Sequence, residues 1–362
     1  MINCFVGTRA QLIKMAPVIL EMENRGVPLR LVFTGQHKET MERLLEDFGI
    51  RTVPRYLYRG REITGVLQMG GWFLRCLWKC LRRPDDFLAQ GREGNDVVVV
   101  HGDTFSTLLG ALVGAWLGMR VAHVEAGLRS HHLLHPFPEE LTRLLVMRLA
   151  DLAFCPGAWA CGNLEGRAAR RVDTGQNTLA ESLAHALAAR DGAGGESLPE
   201  DFGVVSLHRF ENVFRRRRLA HIVHLVELAA RRHPLVFVLH PATRNKLGRF
   251  GLLRKLEENP RIALAPRMGY VEFVRLLARA RFVITDGGGN QEELSYLGVP
   301  TLLMRKATER TEGMASTARL CAYDAAVLED FLAHLPAHRR APDIPPAGAC
   351  RLIVDALLPY AA

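Results

Sequence analysis

The sequence predicts an α/β protein made of two Rossmann-like halves, each a parallel sheet covered by helices. Three observations carry that reading. Short apolar runs alternate with helix-length segments along the chain, the pattern of strands joined by crossover helices. At 362 residues the chain exceeds one ordinary core and suits two domains. Polar residues able to do chemistry gather directly behind the apolar runs, where open parallel sheets face a ligand crevice.

Taken in order, strands are expected at residues 3–6, 29–33, 97–100, 120–124 and 152–154, then at 203–207, 235–239, 262–264, 282–285 and 301–303. The segment from Arg171 to Gly175 reads as one more short strand and turn. The change of domain is therefore placed near residue 170. The first domain covers 1–170 and is joined by a C-terminal helix at 346–362, and the second covers 171–345. Residues 189–199, rich in Gly and Ala with Ser197 and Pro199, read as a linker or surface loop.

Composition narrows the class further. A hydrophobic content of 48% beside 23% charged residues is that of a globular protein, not a disordered one. No apolar run has the length of a transmembrane helix, and the N-terminus enters a strand without a signal-peptide layout. A cytoplasmic protein is expected. Seven irregularly spaced cysteines form neither a zinc pattern nor a disulfide framework. The net charge of +9 suits phosphorylated ligands, anionic membranes or nucleic acid. No base-reading module accompanies it, so nucleic acid is not expected as a partner. The run Arg215 to Arg218 sits at a helix start and reads as a solvated face.

The strand ends read Gly7-Thr8-Arg9, Thr34-Gly35-Gln36-His37, His101-Gly102-Asp103-Thr104, Glu125-Ala126-Gly127, His208-Arg209, His240-Pro241 and Asp286-Gly287-Gly288-Gly289. One polar residue after a strand is usually a turn or cap, but so many tips bearing Arg, His, Asp and Glu point to a site. Gly287, Gly288 and Gly289 open a helix, where bare backbone N–H groups can cradle a phosphate. Glu293, one turn later, suits ribose hydroxyls. Arg9 and Arg310 offer guanidinium forks to a diphosphate, with surface ion pairs as the plainer alternative. Asp103, Glu125 and Glu139 come from successive tips of the first half. Carboxylates converging on a cleft shift one another's pKa and can divide into acid and base. Glu139 also suits a first helical turn on dipole grounds alone. His208, from the second half, is a candidate proton carrier or phosphate partner.

Together these pieces resemble the non-hydrolysing UDP-N-acetylglucosamine 2-epimerase family. The resemblance rests on GTRAQLIKMAP at 7–17, TGQH at 34–37, HGDT at 101–104, HVEAGLRS at 123–130, FPEELTR at 137–143, LHRFEN at 207–212, TDGGGNQEE at 285–293 and TER at 308–310. It implies the GT-B fold, with two Rossmann-like domains whose parallel sheets face across a cleft. It also implies loss of UDP and the C2 proton from a UDP-amino sugar, giving a glycal, then re-addition with C2 inverted, in the supply of cell-surface polysaccharide precursors. By this resemblance Asp103, Glu125, Glu139 and His208 are catalytic. Arg9, Lys14, Gly287, Gly288, Gly289, Glu293 and Arg310 hold the UDP-sugar, and Gln36 and His37 belong to a second, allosteric substrate site. No NAD and no metal is called for. The chain departs from the family at Gln11, usually Glu, at Gly287, usually Ser, and at Phe210, usually Arg. Gln11 and the segment from Leu239 to Arg244 look more like the branch acting on UDP-2,3-diacetamido-2,3-dideoxy-glucuronic acid.

Residues 66–83, VLQMGGWFLRCLWKCLRR, stand outside that resemblance. Arg75, Lys79, Arg82 and Arg83 fall on one helical stripe, with Trp72, Phe73, Leu77, Trp78 and Leu81 around the rest. Such a helix either lies on anionic lipid at the inner face of the membrane or packs at a domain or homodimer interface. The latter is preferred, and a homodimer is expected. The lipid option leaves a second functional reading, a GT-B glycosyltransferase passing a sugar from UDP to a lipid-linked acceptor.

Overall fold

The computed structural model describes residues 1–35, 38–58, 66–89, 95–132, 137–189, 201–308, 310–314 and 316–361. The chain divides into two compact units, Met1–His185 with Pro346–Ala362, and Ala186–Pro345.

The first unit holds a sheet of seven strands: β1 Ile2–Val6, β2 Leu29–Phe33, β3 Arg55–Tyr56, β4 Val97–His101, β5 Arg120–Val124, β6 Leu152–Cys155 and β7 Arg170–Asp173. They run parallel in the order β3-β2-β1-β4-β5-β6-β7. The residues of β1 and β4 are all buried, as expected of central strands covered by helices on both faces, and both are rich in apolar residues. The second unit has six parallel strands: β8 Gly203–Ser206, β9 Leu235–Leu239, β10 Ile262–Pro266, β11 Phe282–Thr285, β12 Thr301–Leu303 and β13 Ala318–Leu320. Their order is β10-β9-β8-β11-β12-β13. Each sheet therefore reverses its winding once, between β1 and β4 in one unit and between β8 and β11 in the other. Ligands of doubly wound sheets bind just beyond the strand ends at that switch.

The expected strands are present, and the structure adds β3 and β13, whose Arg55 and Arg319 leave no apolar run to read. The units divide after His185 and not near residue 170, because β7 pairs with β6 along Leu152↔Arg170 to Cys155↔Asp173 and so extends the first sheet. The C-terminal helix Ala349–Leu357 counts with the first unit. Its start is fixed there by Glu181, whose Oε1 accepts from the N–H groups of Gly348 (3.1 Å) and Cys350 (2.9 Å).

Close packing is visible where the helix Phe105–Trp116 crosses the first sheet. A Cβ on Gly110 would lie 2.7 Å from Val100 Cγ1 and 2.9 Å from Phe5 Cγ, so only glycine lets the helix approach so near. The helix Val66–Arg82 sits beside it, and its two tryptophans have opposite environments. Trp72 is 5% exposed within the core, and its Nε1 donates to the Thr34 carbonyl (3.1 Å). Cys76 and Cys80, one and two turns on, are buried with it. Trp78 and Leu74 are 63% and 66% exposed, beside exposed Arg75, Arg82 and Arg83. Trp72 is thus a core residue, not part of an outward aromatic face. Among the described residues no helix is long and apolar enough to cross a membrane.

Candidate active site

At the switch point of the first unit, Thr8 caps the helix Arg9–Asn24 in a reciprocal box with Gln11. Gln11 is buried with its amide fully engaged. Its Oε1 accepts from Gly7 N (3.0 Å) and Thr8 N (3.1 Å), while Nε2 donates to the His101 carbonyl (2.7 Å) and Thr107 Oγ1 (2.9 Å). The glutamine thereby laces the β1 tip to the β4 tip. A carboxylate here could not donate to the His101 carbonyl unless protonated. Arg9 opens the same helix and is half-buried.

Glu125 lies just past β5 in the left-handed region, φ +62°, which is uncommon for a residue with a side chain. Lys14 Nζ and Asn177 Nδ2 both donate to its Oε1, and the side chains of Lys14 and Glu125 are each 9% exposed. Its Oε2 lies 3.7 Å from His101 Nε2. Burial pushes the His101 imidazole down to about 4, outweighing the upward pull of Glu125, so this ring is neutral at neutral pH. His123, also buried, is shifted in the same direction by burial, against its hydrogen bond to the Gly102 carbonyl (2.8 Å).

Asp103 follows Gly102 on the β4 tip and meets Arg143, whose Nη2 lies 2.5 Å from Oδ2. Arg143 Nη1 also donates to Glu140 Oε2 (3.2 Å). Glu140 is fully buried and accepts further bonds from Arg129 Nε (2.6 Å) and Ser130 N (3.0 Å). Burial alone would raise its carboxyl, but these donors prevail and hold it at about 2. Glu139 precedes it at the start of the helix Glu139–Leu149, with Oε2 buried and lacking a hydrogen-bond partner among the described residues.

In the second unit Asp286, fully buried behind β11, is the hub. Its carboxylate accepts from His208 N (3.0 Å), Arg209 N (3.1 Å) and Asn212 Nδ2 (3.0 Å), fixing the β8 tip to the β11 tip. His208 Nδ1 lies 3.5 Å from Asp286 Oδ1, and the ring packs on Gly287. Gly288 and Gly289 open the helix Gly288–Tyr296, which has no side-chain cap at its start. Such a helix end presents backbone donors and a positive dipole to an anion. Glu293 is buried in that helix. Arg310 Nη1 lies 2.5 Å from the buried Glu292 Oε2 and 3.6 Å from Glu312 Oε1, so its charge is partly committed inside the unit.

Within the first unit the structure gathers Lys14 with Glu125, and Asp103 near the helix that carries Glu139. Within the second it gathers His208 with Gly287. Gln36 and His37 lie outside the described residues. Arg143, Glu140, Arg129, Asn177, Asp286 and His101 complete these networks and were not singled out from the sequence as site residues. Glu140 and Arg143 carried a usable signal, an i, i+3 acid–base pair in the helix behind Glu139. Asn177 had none, since it lies in a turn after a largely exposed strand.

A family profile described as UDP-N-acetylglucosamine 2-epimerase matches residues 20–343. The UDP-N-acetylglucosamine 2-epimerase of Methanocaldococcus jannaschii is 33% identical over 326 residues, covering 86% of this chain and 85% of that protein. The UDP-2,3-diacetamido-2,3-dideoxy-D-glucuronate 2-epimerase of Pseudomonas aeruginosa is 35% identical over 316 residues, covering 85% and 84%. The crystal structure of the M. jannaschii UDP-GlcNAc 2-epimerase in complex with UDP-GlcNAc and UDP matches with a TM-score of 0.81 at 29% identity, covering 99% of both chains. Two Rossmann-like units with parallel sheets are thus the GT-B architecture of these relatives.

Proposed function

Because the chain belongs to the UDP-N-acetylglucosamine 2-epimerase family, we propose that it inverts C2 of a UDP-amino sugar by eliminating and re-adding UDP. A carboxylate removes the C2 proton as the C1–O bond breaks. The C–H electron pair becomes the C1=C2 bond, and the C1–O pair leaves with UDP. In return, a proton reaches the opposite face of C2 and the UDP oxygen re-forms the bond to C1. Atoms and electrons balance without an outside oxidant or reductant.

The observation that best supports this chemistry is the set of three carboxylates in one unit, each in its own environment. Glu125 is clamped by Lys14 and Asn177, Asp103 is paired with Arg143, and Glu139 has no ion pair among the described residues. Distinct surroundings are what let chemically similar groups give and take protons in turn. Asp103, Glu125 and Glu139 are accordingly assigned to proton transfer. A C2–H with no adjacent carbonyl is weakly acidic, so the departing diphosphate needs strong stabilisation. The backbone of Gly287, Gly288 and Gly289, with His208 beside it, suits that task. Glu293 is assigned to the ribose, and Arg9 and Arg310 to the nucleotide. Lys14 serves through Glu125.

The sugar is either UDP-N-acetylglucosamine or the diacetamido-uronate relative, the substrates named for the two relatives above. Transfer to a lipid-linked acceptor gains no support from Gln11, whose amide is committed to the strand tips, or from Trp72, which is core. Incubation with each sugar nucleotide, followed by proton NMR of the ring protons, tests the reading. Appearance of the C2 epimer supports it, whereas transfer of the sugar to an added polyprenyl phosphate without epimer would replace it.

A further inference from the structure

We propose that Arg143 is the positioning residue that sets Asp103 relative to Glu139. The inference rests on the epimerase reading above, which names Arg143 only as the partner of Asp103, and adds a role for it.

Asp103 stands on a strand tip, while Glu139 stands on the helix Glu139–Leu149. Packing of the helix Phe105–Trp116, which follows Asp103, on the helix Glu139–Leu149 sets the separation of the two backbones, but the carboxylate groups themselves still have to be held in register. Arg143 does this through both ends of its fork, with Nη2 on Asp103 Oδ2 (2.5 Å) and Nη1 on Glu140 Oε2 (3.2 Å). Glu140 is the neighbour of Glu139, and its fully buried carboxylate pins the first turn of the helix to Arg129 and Ser130 of the preceding loop. One guanidinium therefore links the carboxylate on the strand to the anchor of the carboxylate on the helix. Two carboxylates and two guanidiniums make the network neutral, as buried charges require. Among the described residues His123 of β5 also faces Asp103, and burial lowers its imidazole from the ordinary value. The Arg143 side chain is 12% exposed, so solvent screens these contacts little.

A lysine at this position would carry the charge but not the planar fork and could not serve both carboxylates equally. Misplacement of a catalytic group by about 1 Å costs on the order of 100-fold in rate. Arg143→Gln is therefore expected to lower kcat for epimerisation by about 100-fold with KM changed less than about threefold, since substrate binding does not depend on the reacting geometry. Arg143→Lys should recover about tenfold of that loss. A merely structural role would instead lower thermal stability equally in both variants while the folded fraction kept wild-type kcat, and that result overturns the proposal.

A second measurement does not depend on turnover. In a crystal structure of the Arg143→Lys variant without ligand, the separation of the Asp103 and Glu139 carboxylates should change. An unaltered separation contradicts the proposal even if the epimerase reading stands. Absence of epimerisation by the wild-type protein with every UDP-amino sugar would remove the catalytic reading and leave this geometric prediction to stand or fall by itself.

Discussion

The His208 ring packs so tightly on Gly287 that a Cβ at position 287 would lie 2.7 Å from His208 Cε1. The His208 side chain is 40% exposed, so the ring has solvent to turn into. The histidine's backbone N–H is held by Asp286 Oδ1, and its Nδ1 lies 3.5 Å from the same oxygen. The absence of a side chain at Gly287 therefore admits the imidazole to the start of the helix.

Gly287→Ala should force the ring away from that helix start. Overpacking of this kind costs about 1–3 kcal/mol, here expected as roughly a tenfold loss of UDP affinity with the fold intact. Isothermal titration with UDP checks it, and wild-type affinity in Gly287→Ala would show that the ring's position is unimportant.

Glu140 makes a prediction for stability against pH. Its carboxyl is lowered from 4.5 to about 2 in the folded protein, so the folded state favours the ionised form. The stabilisation is complete above about pH 4.5 and fades as pH falls toward 2. Its size at neutral pH is on the order of 3 kcal/mol. Urea unfolding should show Glu140→Gln destabilised at pH 7, with the gap to wild type narrowing steadily on acidification. An equal gap at pH 7 and pH 3 would mean that the carboxylate is not what stabilises the fold.

The two tryptophans of the helix Val66–Arg82 should respond in opposite ways. Trp72→Ala opens a cavity in the first core and removes the bond to the Thr34 carbonyl, a loss of about 3–5 kcal/mol. Trp78→Ala, at a site 63% exposed, should stay within about 0.5 kcal/mol. Chemical denaturation of both variants decides this, and similar losses would refute the assignment of faces.

Much of this was legible in the sequence for a physical reason. Central parallel strands such as β4 are buried on both faces and so spell themselves as apolar runs, and their tips stand out as the polar residues that follow. The edge strand β3, Arg55–Tyr56, has two residues and no apolar run, so only its pairing with β2 reveals it. Helical periodicity placed Trp72 and Trp78 on one helix but could not say which face the rest of the unit would cover. Side-chain partnerships were the least legible. Lys14 and Glu125 are separated by 111 residues, and their pairing follows only from the strand order β1-β4-β5, which sets the helix after β1 near the tip of β5. Arg143 is separated from its partner Asp103 by 40 positions, and only the fold brings the β4 tip within its reach.

The central claim is removal and return of the C2 proton. Wild-type protein incubated with UDP-N-acetylglucosamine and with its diacetamido-uronate relative in deuterium oxide tests it directly, by mass spectrometry of the recovered sugar nucleotide. At least one substrate should gain a single deuterium at C2, and Asp103→Asn or Glu125→Gln should suppress the gain while UDP still binds. Recovery of both sugar nucleotides free of deuterium from folded, UDP-binding protein would contradict the account.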